Sequence, residues 1–378
     1  MLHSLRLLVL GGLAMLASSS ALGGQYVQTN LVSDLVAEGG TPADPNLKNP
    51  WGMSFSGTSP FWVSNQGSGT STLYNALSVP VTQSLVVAIP AGGGPPTGPT
   101  GQVFNSTASD FMIPAPNGTV KSTFLFDTLS GTIQGWNPGS SAGSGSAEIT
   151  VTVPGAIFTG LALANSGGSN FLYAANAAGG IAVFDSNFTN VTATTFANKF
   201  VDPSPVTGFT PFNIQRLSDG NLYVTYAAAT STGAPLPGGY VDEYDTAGNF
   251  IRRIATNGPI NAAWGLAIAP SNFGQFSGDL LIGNLFDSKI NAYNLTTLAN
   301  DGSITVDTGF ASPVGLWALA FGNGVTGQAN TLYFTSGVND QQDGLFGSIT
   351  AVPEPGSIGM LILGMGCLGL FQVLRRRR

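Results

Sequence analysis

The amino-acid sequence predicts an all-β protein: a six-bladed β-propeller flanked by an N-terminal signal peptide and a C-terminal transmembrane helix. Three observations lead to this prediction. The chain contains 52 Gly and 23 Pro among 378 residues, which is typical of many short strands joined by turns. A strand–turn–strand pattern recurs roughly every 50 residues, the spacing of propeller blades. The two ends carry apolar segments that differ from the body. We therefore divide the chain into residues 1–23, 24–350 and 351–378.

Residues 1–23 have the order of a secretory signal peptide. Arg6 precedes the apolar residues 7–17, and the small residues of 18–23 follow. Positive, apolar and small segments in that order predict export, with cleavage near Ala21 or Gly23. A permanent membrane anchor is the alternative, but the apolar run is short for a bilayer span.

The body is built from a repeated unit, seen most clearly in residues 171–185 (FLYAANAAGGIAVFD). An apolar run leads into a turn with Gly179 and Gly180, and a second apolar run ends in Phe184 and Asp185. In six units the first run ends in a polar residue or Tyr, at spacings of 62, 49, 50, 58 and 52 positions. We name these residues the polar ring: Asn65, Asp127, Asn176, Tyr226, Asn284 and Ser336.

Each unit carries more than a hairpin. A short apolar segment precedes every first run, and a fourth strand-like segment often follows the hairpin. Four short strands per repeat describe a propeller blade, and six repeats predict six blades. Residues 25–31 stand alone before the first unit, so we expect them to complete the last blade beside residues 348–352. The rival fold, a pair of β-sandwiches, does not explain the register that the six units share.

The C-terminus reads as a motif, an apolar helix and a basic cluster. The apolar stretch is about 17 residues, or ~25 Å as a helix, just enough to span a bilayer. We expect residues 358–374 to enter the membrane and the terminal arginines to hold that end in the cytoplasm. The motif and cluster residues are Pro353, Glu354, Pro355, Arg375, Arg376, Arg377 and Arg378.

This order resembles the PEP-CTERM sorting signal of Gram-negative bacteria. The resemblance implies recognition by an exosortase and cleavage near residues 353–355. It also implies release to the cell surface or an exopolysaccharide matrix. An exported, cell-envelope or extracellular location follows, with the membrane as anchor until the tail is processed.

The body also resembles a known group as a whole. The stretches DPNLKNPWGMSFS, YVDEYDTAGNFIRR, APSNFGQFSGDLLIGN and GLWALAFGNG are similar to an uncharacterised family of secreted bacterial propellers, of NHL type or gluconolactonase-like. The resemblance covers residues 25–350 and implies the fold without naming an activity. Related sequences often carry His in the third hairpin turn and near the end of the last unit, where this chain has Asn176 and residues 342–344 without His.

Composition restricts the chemistry of the body. The single His is His3 and the single Cys is Cys367, both outside residues 24–350. The body therefore has no thiol nucleophile, no imidazole base and no Cys/His zinc site. Its 18 acidic and 7 basic residues give a net charge of −11, which argues against nucleic acid as a partner. The sequence identifies no cofactor, but oxygen ligands would admit Ca²⁺.

Two sets of residues are candidate site residues. Equivalent positions of a propeller lie at similar radius, so the polar ring would surround one face and bind Ca²⁺ or a sugar. The alternative is that Asn and Asp there cap hairpins.

The second set begins the innermost strands, with Thr100 and Thr159 in two blades and aromatic residues in the other four. Aromatic rings there would stack on a sugar or fill the core: Trp51, Phe212, Trp264 and Trp317.

Two functions remain open from the sequence. The favoured one is a binding or scaffold module at the cell surface or in an exopolysaccharide matrix, since the body lacks a base and a nucleophile. The alternative is a Ca²⁺-dependent, lactonase-like hydrolase that uses Asn and Asp ligands at the channel mouth. Asp127 is the only acid in the polar ring, which weakens the enzymatic alternative.

Overall fold

Strands supply the regular structure of this chain in a computed structural model that describes residues 21–22, 26–35, 43–90, 98–229, 235–309 and 315–352. Within these residues a short 3₁₀ helix, Gly274–Phe276, is the one helical element. The predicted sorting tail from residue 353 onward and nearly all of the predicted signal peptide lie outside the described residues.

The strands form seven sheets, of which six are the blades of a ring and the seventh is a two-stranded hairpin. The chain first forms β1 (Ala21–Leu22) and β2 (Tyr26–Ser33). Blade 1 comprises β3 (Pro50–Ser54), β4 (Phe61–Asn65), β5 (Thr70–Tyr74) and β6 (Thr82–Ala88). Blade 2 begins with β7 (Pro99–Phe104), followed by an inserted hairpin of β8 (Met112–Ala115) and β9 (Gly118–Lys121). It continues with β10 (Phe124–Thr128), β11 (Thr132–Trp136) and β12 (Glu148–Thr152).

Blades 3 to 6 follow along the chain. Blade 3 comprises β13 (Phe158–Ser166), β14 (Ser169–Asn176) and β15 (Gly180–Phe184). Blade 4 comprises β16 (Phe209–Arg216), β17 (Leu222–Ala229), β18 (Pro235–Tyr244) and β19 (Phe250–Thr256). Blade 5 comprises β20 (Ala263–Ile268), β21 (Leu280–Asn284), β22 (Lys289–Tyr293) and β23 (Asn300–Thr305). Blade 6 comprises β24 (Leu316–Phe321), β25 (Thr331–Val338) and β26 (Asp343–Ala351).

The predicted six-bladed, all-β fold is confirmed. The apolar segments that precede each first run are the inner strands β3, β7, β13, β16, β20 and β24. Successive strands of each blade pair antiparallel toward the rim. The inserted β8–β9 hairpin was not predicted from the repeat.

The N-terminal strand closes the ring as the sequence predicts. β2 pairs antiparallel with β26, placing Tyr26 opposite Ala351 and Asn30 opposite Gly347. The outer strand of blade 6 thus comes from the start of the described chain. This pairing covers the outer edge of β26, which would otherwise present unpaired backbone groups.

Blade 3 departs from the four-strand plan. Its described sheet has three strands, and an irregular segment, residues 186–206, covers the outer edge of β15. The Val191 N–H donates to the Val183 carbonyl at 2.8 Å, and Phe196 packs on Phe171 with ring centroids 4.9 Å apart. Side-chain packing and single hydrogen bonds thus replace the fourth strand.

Hydrophobic cores lie between adjacent blades because both faces of each blade are buried. Successive side chains of a strand point to opposite faces. Leu280 and Ile282 therefore pack toward blade 4, whereas Leu281 packs toward blade 6. This double burial explains why the second strands read as continuous apolar runs. A further core lies on the axis of the ring, where the aromatic residues of four inner strands meet.

Adjacent inner strands approach closely, and glycine permits the approach. A Cβ at Gly101 would overlap the backbone nitrogen of Leu161 in blade 3, and a Cβ at Gly265 would overlap the carbonyl oxygen of Trp317 in blade 6. Glycine at these positions leaves room for the neighbouring backbone. The central channel is consequently narrow.

Candidate functional site

The aromatic residues of the inner strands close one end of the central channel. The ring centroids of Trp51 and Phe212, from opposite blades, are 6.2 Å apart, and Trp264 and Trp317 are 6.0 Å apart. All four rings are buried. We name Trp51, Phe212, Trp264 and Trp317 the aromatic plug. The four rings pack against one another. In this structure they fill a core on the axis of the ring of blades.

Hydrogen bonds across the axis fix the plug. The Trp264 Nε1–H donates to the Thr159 carbonyl at 2.8 Å, which joins blade 5 to blade 3. The Trp317 Nε1–H donates to Asn49 Oδ1 at 3.0 Å, which joins blade 6 to the start of blade 1. Trp51 Nε1 is buried and has no hydrogen-bond partner within the described ranges.

The polar ring lies at the same end of the channel. Asn65, Asn176 and Asn284 end the second strands of their blades. Asp127, Tyr226 and Ser336 lie one to three residues before the ends of theirs. All six lie opposite or near the first residues of the inner strands. Asn176 is partly exposed, and the other five are buried. The structure thus buries five of the six side chains inside the blades.

The described contacts of the polar ring are local to each blade. The Asn65 amide donates to the Thr72 hydroxyl at 2.9 Å. Asn176 Oδ1 accepts the N–H groups of Ile157 and Ala178 at 2.9 and 3.1 Å. Asn284 Nδ2 donates to the Pro259 carbonyl at 2.7 Å. Such side-chain to backbone bonds are those of hairpin and loop capping.

The other ring members also bond within the protein or stay buried. The hydroxyls of Tyr226 and Tyr244 are 2.9 Å apart. The hydroxyl of Ser336 is buried and has no hydrogen-bond partner in the part of the chain that the structure describes. No contact described here joins one ring member to another.

Asp127, the acid of the polar ring, is fully buried between blades 2 and 3. Its Oδ1 accepts the Thr100 hydroxyl at 2.7 Å and the Gly101 N–H at 2.6 Å. Burial raises the pKa of the Asp127 carboxyl to about 7, and these hydrogen bonds oppose part of the shift. Near neutral pH this carboxyl is therefore close to half protonated.

No group of three or more His, Cys, Asp or Glu side chains among the described residues has the arrangement of a metal site. Asn residues supply most of the oxygen atoms that the sequence offered for Ca²⁺. Those of Asn176 and Asn284 accept backbone N–H groups in this structure.

A central channel extends from the aromatic plug along the inner strands. It encloses about 350 Å³, with Trp264 at the plugged end and residues of all six inner strands as its walls. That volume is at the small end of the ~300–1,000 Å³ range of ligand pockets. The opposite end, where the inner strands finish, carries the exposed residues Ser106 and Arg216. We name this end the mouth.

Amide side chains connect the inner strands around the channel. Gln102 Nε2 donates to the carbonyls of Gly52 (3.2 Å) and Trp62 in blade 1. Asn213 Nδ2 donates to the Trp264 carbonyl at 2.7 Å. The bonds to Gly52 and Trp264 satisfy backbone carbonyls on the free edges of two inner strands, where no further strand pairs. The channel wall therefore combines these amides with apolar side chains such as Leu161 and Leu319.

Arg216 is the one ionisable side chain among the described residues that line the channel. Arg216, Gln102 and Asn213 do not recur at the equivalent positions of the other blades, so the repeat pattern of the sequence does not single them out. A usable signal was present. Gly follows the plug or Thr residue in four inner strands, whereas Asn213 follows Phe212 in blade 4 and Ala318 follows Trp317 in blade 6.

A second cavity, of about 660 Å³, lies between blades 4 and 5. Its lining includes Asn261, Asp287, Lys289 and Asn291, with the extended β17–β18 hairpin at its edge through Pro237. Asn291 is buried and donates to the Pro259 carbonyl at 3.1 Å. The acid and the base along this groove leave it without net charge.

The candidate sorting residues lie beyond residue 352 and are not described by the structure. Within the described ranges, no helix has the length and apolarity needed to cross a bilayer. The predicted span at residues 358–374 is outside those ranges.

Comparison with known families identifies the C-terminal segment. Residues 351–378 match the PEP-CTERM protein-sorting motif. This motif implies export, sorting to the cell envelope and processing by an exosortase-type enzyme. The expectation from the order of motif, apolar stretch and arginine cluster is confirmed at this level.

Two proteins of Acanthamoeba polyphaga mimivirus are similar over the length of the body. "Uncharacterized protein R648" is 31% identical over 325 residues, covering 81% of this chain and 76% of the viral protein. "Uncharacterized protein L690" is 27% identical over 321 residues, covering 81% of each chain. Neither name states an activity.

Solved structures share the fold. The soluble aldose sugar dehydrogenase of Escherichia coli, in its apo-form, superposes with a TM-score of 0.52 at 13% identity, covering 86% of this chain and 100% of that one. At this level of identity the likeness shows a common propeller architecture and nothing of the chemistry.

Proposed function

We propose that this chain, which belongs to the family of the mimivirus "Uncharacterized protein R648", is an exported propeller of the cell envelope that binds an extracellular ligand in its central channel. It acts as a binding or scaffold module at the cell surface or in the extracellular matrix, with exopolysaccharide as the partner. Its body is the NHL-type, gluconolactonase-like propeller of residues 24–350, and its tail passes through the membrane until an exosortase processes it.

One observation carries the proposal: the central channel is open at the mouth, closed by the aromatic plug and lined in part by polar side chains. Gln102, Asn213 and Gln215 line it together with backbone of the inner strands. Such a wall offers hydrogen bonds to a hydroxyl-rich ligand. It supplies no carboxylate or imidazole from the described lining residues to act as a general base, which favours binding over hydrolysis.

The closed end restricts the mode of binding. Trp51 and Phe212 contact each other from opposite blades at 6.2 Å, so a polymer does not thread through the ring. A ligand enters and leaves by the mouth. The channel therefore suits a small molecule or the end of a longer chain.

The proposal is tested by obstructing the mouth of the purified full chain. Ser106 is exposed at the mouth, so Ser106→Trp fills the entrance without disturbing a core. Thr58→Trp places the same side chain on the exposed β3–β4 turn, away from the channel lining. Retention on an immobilised panel of acidic and neutral oligosaccharides should fall by at least tenfold in S106W and stay unchanged in T58W. Equal retention by both variants would place the ligand elsewhere.

The alternative is a Ca²⁺-dependent, lactonase-like hydrolase with the polar ring as its ligands. It has weaker support, because Asp127 Oδ1 and the Asn176 and Asn284 amides already have partners within the protein. Thermal unfolding of the full chain with EDTA and with millimolar Ca²⁺ distinguishes the two. An increase of several degrees that disappears in D127N would favour the hydrolase.

A further inference from the structure

Arg216 differs from the ion-paired cations of the described body. Lys48, Arg252 and Arg253 form ion pairs with acidic side chains, and Lys121 and Lys199 donate to neutral oxygen atoms at 2.7 Å. Within the described ranges, Arg216 has neither an ion pair nor a side-chain hydrogen bond. It ends β16 at the mouth of the channel, where it is exposed.

The acid closest to Arg216 along the chain is engaged elsewhere. Asp219 follows three residues later, and its Oδ1 accepts the Asn221 N–H at 3.1 Å. Its Oδ2 accepts the Tyr223 hydroxyl at 2.8 Å. Both oxygens of the carboxylate therefore stabilise the turn between β16 and β17, and the exposed guanidinium of Arg216, whose Nη2 lies near Gly220 of that turn, has no carboxylate partner among the described residues.

The channel also offers neutral donors, one in blade 1 across the ring from Arg216 and one in blade 4 next to it. The Ser54 hydroxyl lines the channel, is buried and has no hydrogen-bond partner among described residues. Gln215, next to Arg216, accepts the Leu266 N–H through Oε1 at 3.4 Å, which leaves its NH₂ group for another acceptor. A buried hydroxyl without a partner is costly unless water or a ligand satisfies it.

We propose that the mouth recognises a singly charged carboxylate on a hydroxyl-rich ligand, such as a sugar acid or the uronic-acid end of a saccharide chain. This inference rests on the proposed function of the channel and names the class of ligand. Arg216 binds the carboxylate through its planar fork of donors, while Ser54 and Gln215 bind hydroxyl groups.

Charge balance selects a monoanion. One guanidinium neutralises one carboxylate, whereas a dianionic phosphate would keep a negative charge beside a body whose net charge is −11. At physiological salt the Debye length is ~8 Å, so only charged groups near the mouth attract or repel a ligand there. Selectivity therefore depends on contact with Arg216 and not on the overall field of the protein.

The test compares two sugars that differ in the carboxylate. The purified full chain is titrated with sodium D-galacturonate and with D-galactose, and binding is followed by ligand-observed NMR or calorimetry. Galacturonate should bind at least about tenfold more tightly, as charge-assisted hydrogen bonds require. Arg216→Gln should remove this preference, Arg216→Lys should keep part of it, and Ser54→Ala should weaken binding of both sugars.

Lys289→Gln is the matched control. It also removes one exposed positive charge, but from the groove between blades 4 and 5, and it should leave the preference for galacturonate unchanged. Equal binding of the two sugars by the wild-type chain, or an equal loss in K289Q and R216Q, would overturn the inference.

The failure of the inference is distinguishable from that of the proposed function. If galacturonate does not bind while S106W still loses oligosaccharide retention, the channel binds ligands but not through a carboxylate. If neither sugar binds and S106W equals the wild type, both proposals are wrong. The melting temperature of R216Q should equal that of the wild type, since the side chain is exposed.

Discussion

The indole rings of Trp51 and Trp317 stack with centroids 3.7 Å apart and planes inclined by 21°. Trp51 is the second residue of the inner strand of blade 1 and Trp317 the second of that of blade 6, so the stack lies on the seam where the ring of blades closes. The first and last blades are thus joined at the axis by aromatic contact and at the rim by the β2–β26 pairing. Closure of the ring depends on both.

The two tryptophans should respond differently to the same substitution. Trp317→Phe removes the hydrogen bond to the buried Asn49 Oδ1, which should cost about 1–3 kcal/mol beyond the lost volume. Trp51→Phe removes an indole N–H that is buried without a partner among described residues, and should cost less. Urea unfolding of both variants measures the difference, and a larger loss in W51F would contradict the assigned hydrogen bonding.

The N-terminal strand should be fastened by one hydroxyl. Tyr26 Oη donates to the Phe273 carbonyl at 2.9 Å and accepts the Phe276 N–H at 3.2 Å, which ties β2 to blade 5. Tyr26→Phe should lower the free energy of unfolding by about 1–2 kcal/mol, because two buried backbone groups lose a partner. Thr29→Ala, on the exposed side of the same strand, should change it by less than about 0.5 kcal/mol. If Tyr26→Phe and Thr29→Ala lowered the free energy of unfolding equally, the Tyr26 hydroxyl would not stabilise the attachment of β2 to blade 5.

The stability of the protein should depend on pH through Asp127. Burial raises its pKa in the folded state from 3.8 to about 7, so the folded protein binds this proton more tightly than the unfolded chain. That stabilisation is complete below about pH 4 and is lost as the pH rises to about 7. Asp127→Asn keeps the shape and cannot ionise. Its free energy of unfolding relative to wild type should rise across this window by about 1.4 kcal/mol per unit of pKa difference. If the difference in free energy of unfolding between D127N and the wild type did not change with pH, the Asp127 carboxyl would have an ordinary pKa.

Arg253 should hold the segment that replaces the fourth strand of blade 3. Its Nε donates to the buried Asp242 at 2.7 Å, its Nη2 pairs with Asp202 of that segment, and its guanidinium lies 4.0 Å from the Tyr240 ring centroid. Arg253→Ala leaves Asp242 buried without its cation and should cost about 3–5 kcal/mol. Arg253→Lys should lower the free energy of unfolding by less, and Lys289→Ala, at an exposed position, should hardly change it. A loss below about 1 kcal/mol in R253A would contradict a buried ion pair, as measured by thermal or urea unfolding.

Export should depend on the Pro-Glu-Pro residues. Replacing Pro353, Glu354 and Pro355 with Ala should leave the tail uncleaved and the protein in the membrane fraction of a host that contains an exosortase. Ser357→Ala is the control and should be processed normally. The C-terminus of the recovered protein, determined by mass spectrometry, decides the outcome. Identical C-termini in both variants would show that the motif does not direct processing.

The sequence by itself determined the blades, their number and the closing strand. Leu280 to Asn284 illustrates why: an apolar run that ends in a polar residue records burial on both faces and the end of a strand. The same apolar run recurs in every unit, so the repeat is visible in the sequence. The sorting motif is equally local, since its recognition depends on the order of residues and not on a fold.

Only the tertiary structure decided what the selected residues do. The aromatic plug residues are far apart in the chain, and whether they face a ligand or one another depends on the narrow ring that close packing at Gly101 and Gly265 allows. Arg216 became a candidate because Asp219, three residues away, bonds to Asn221 and Tyr223 instead. Pairing choices of this kind depend on distances between side chains, which a repeat pattern does not contain.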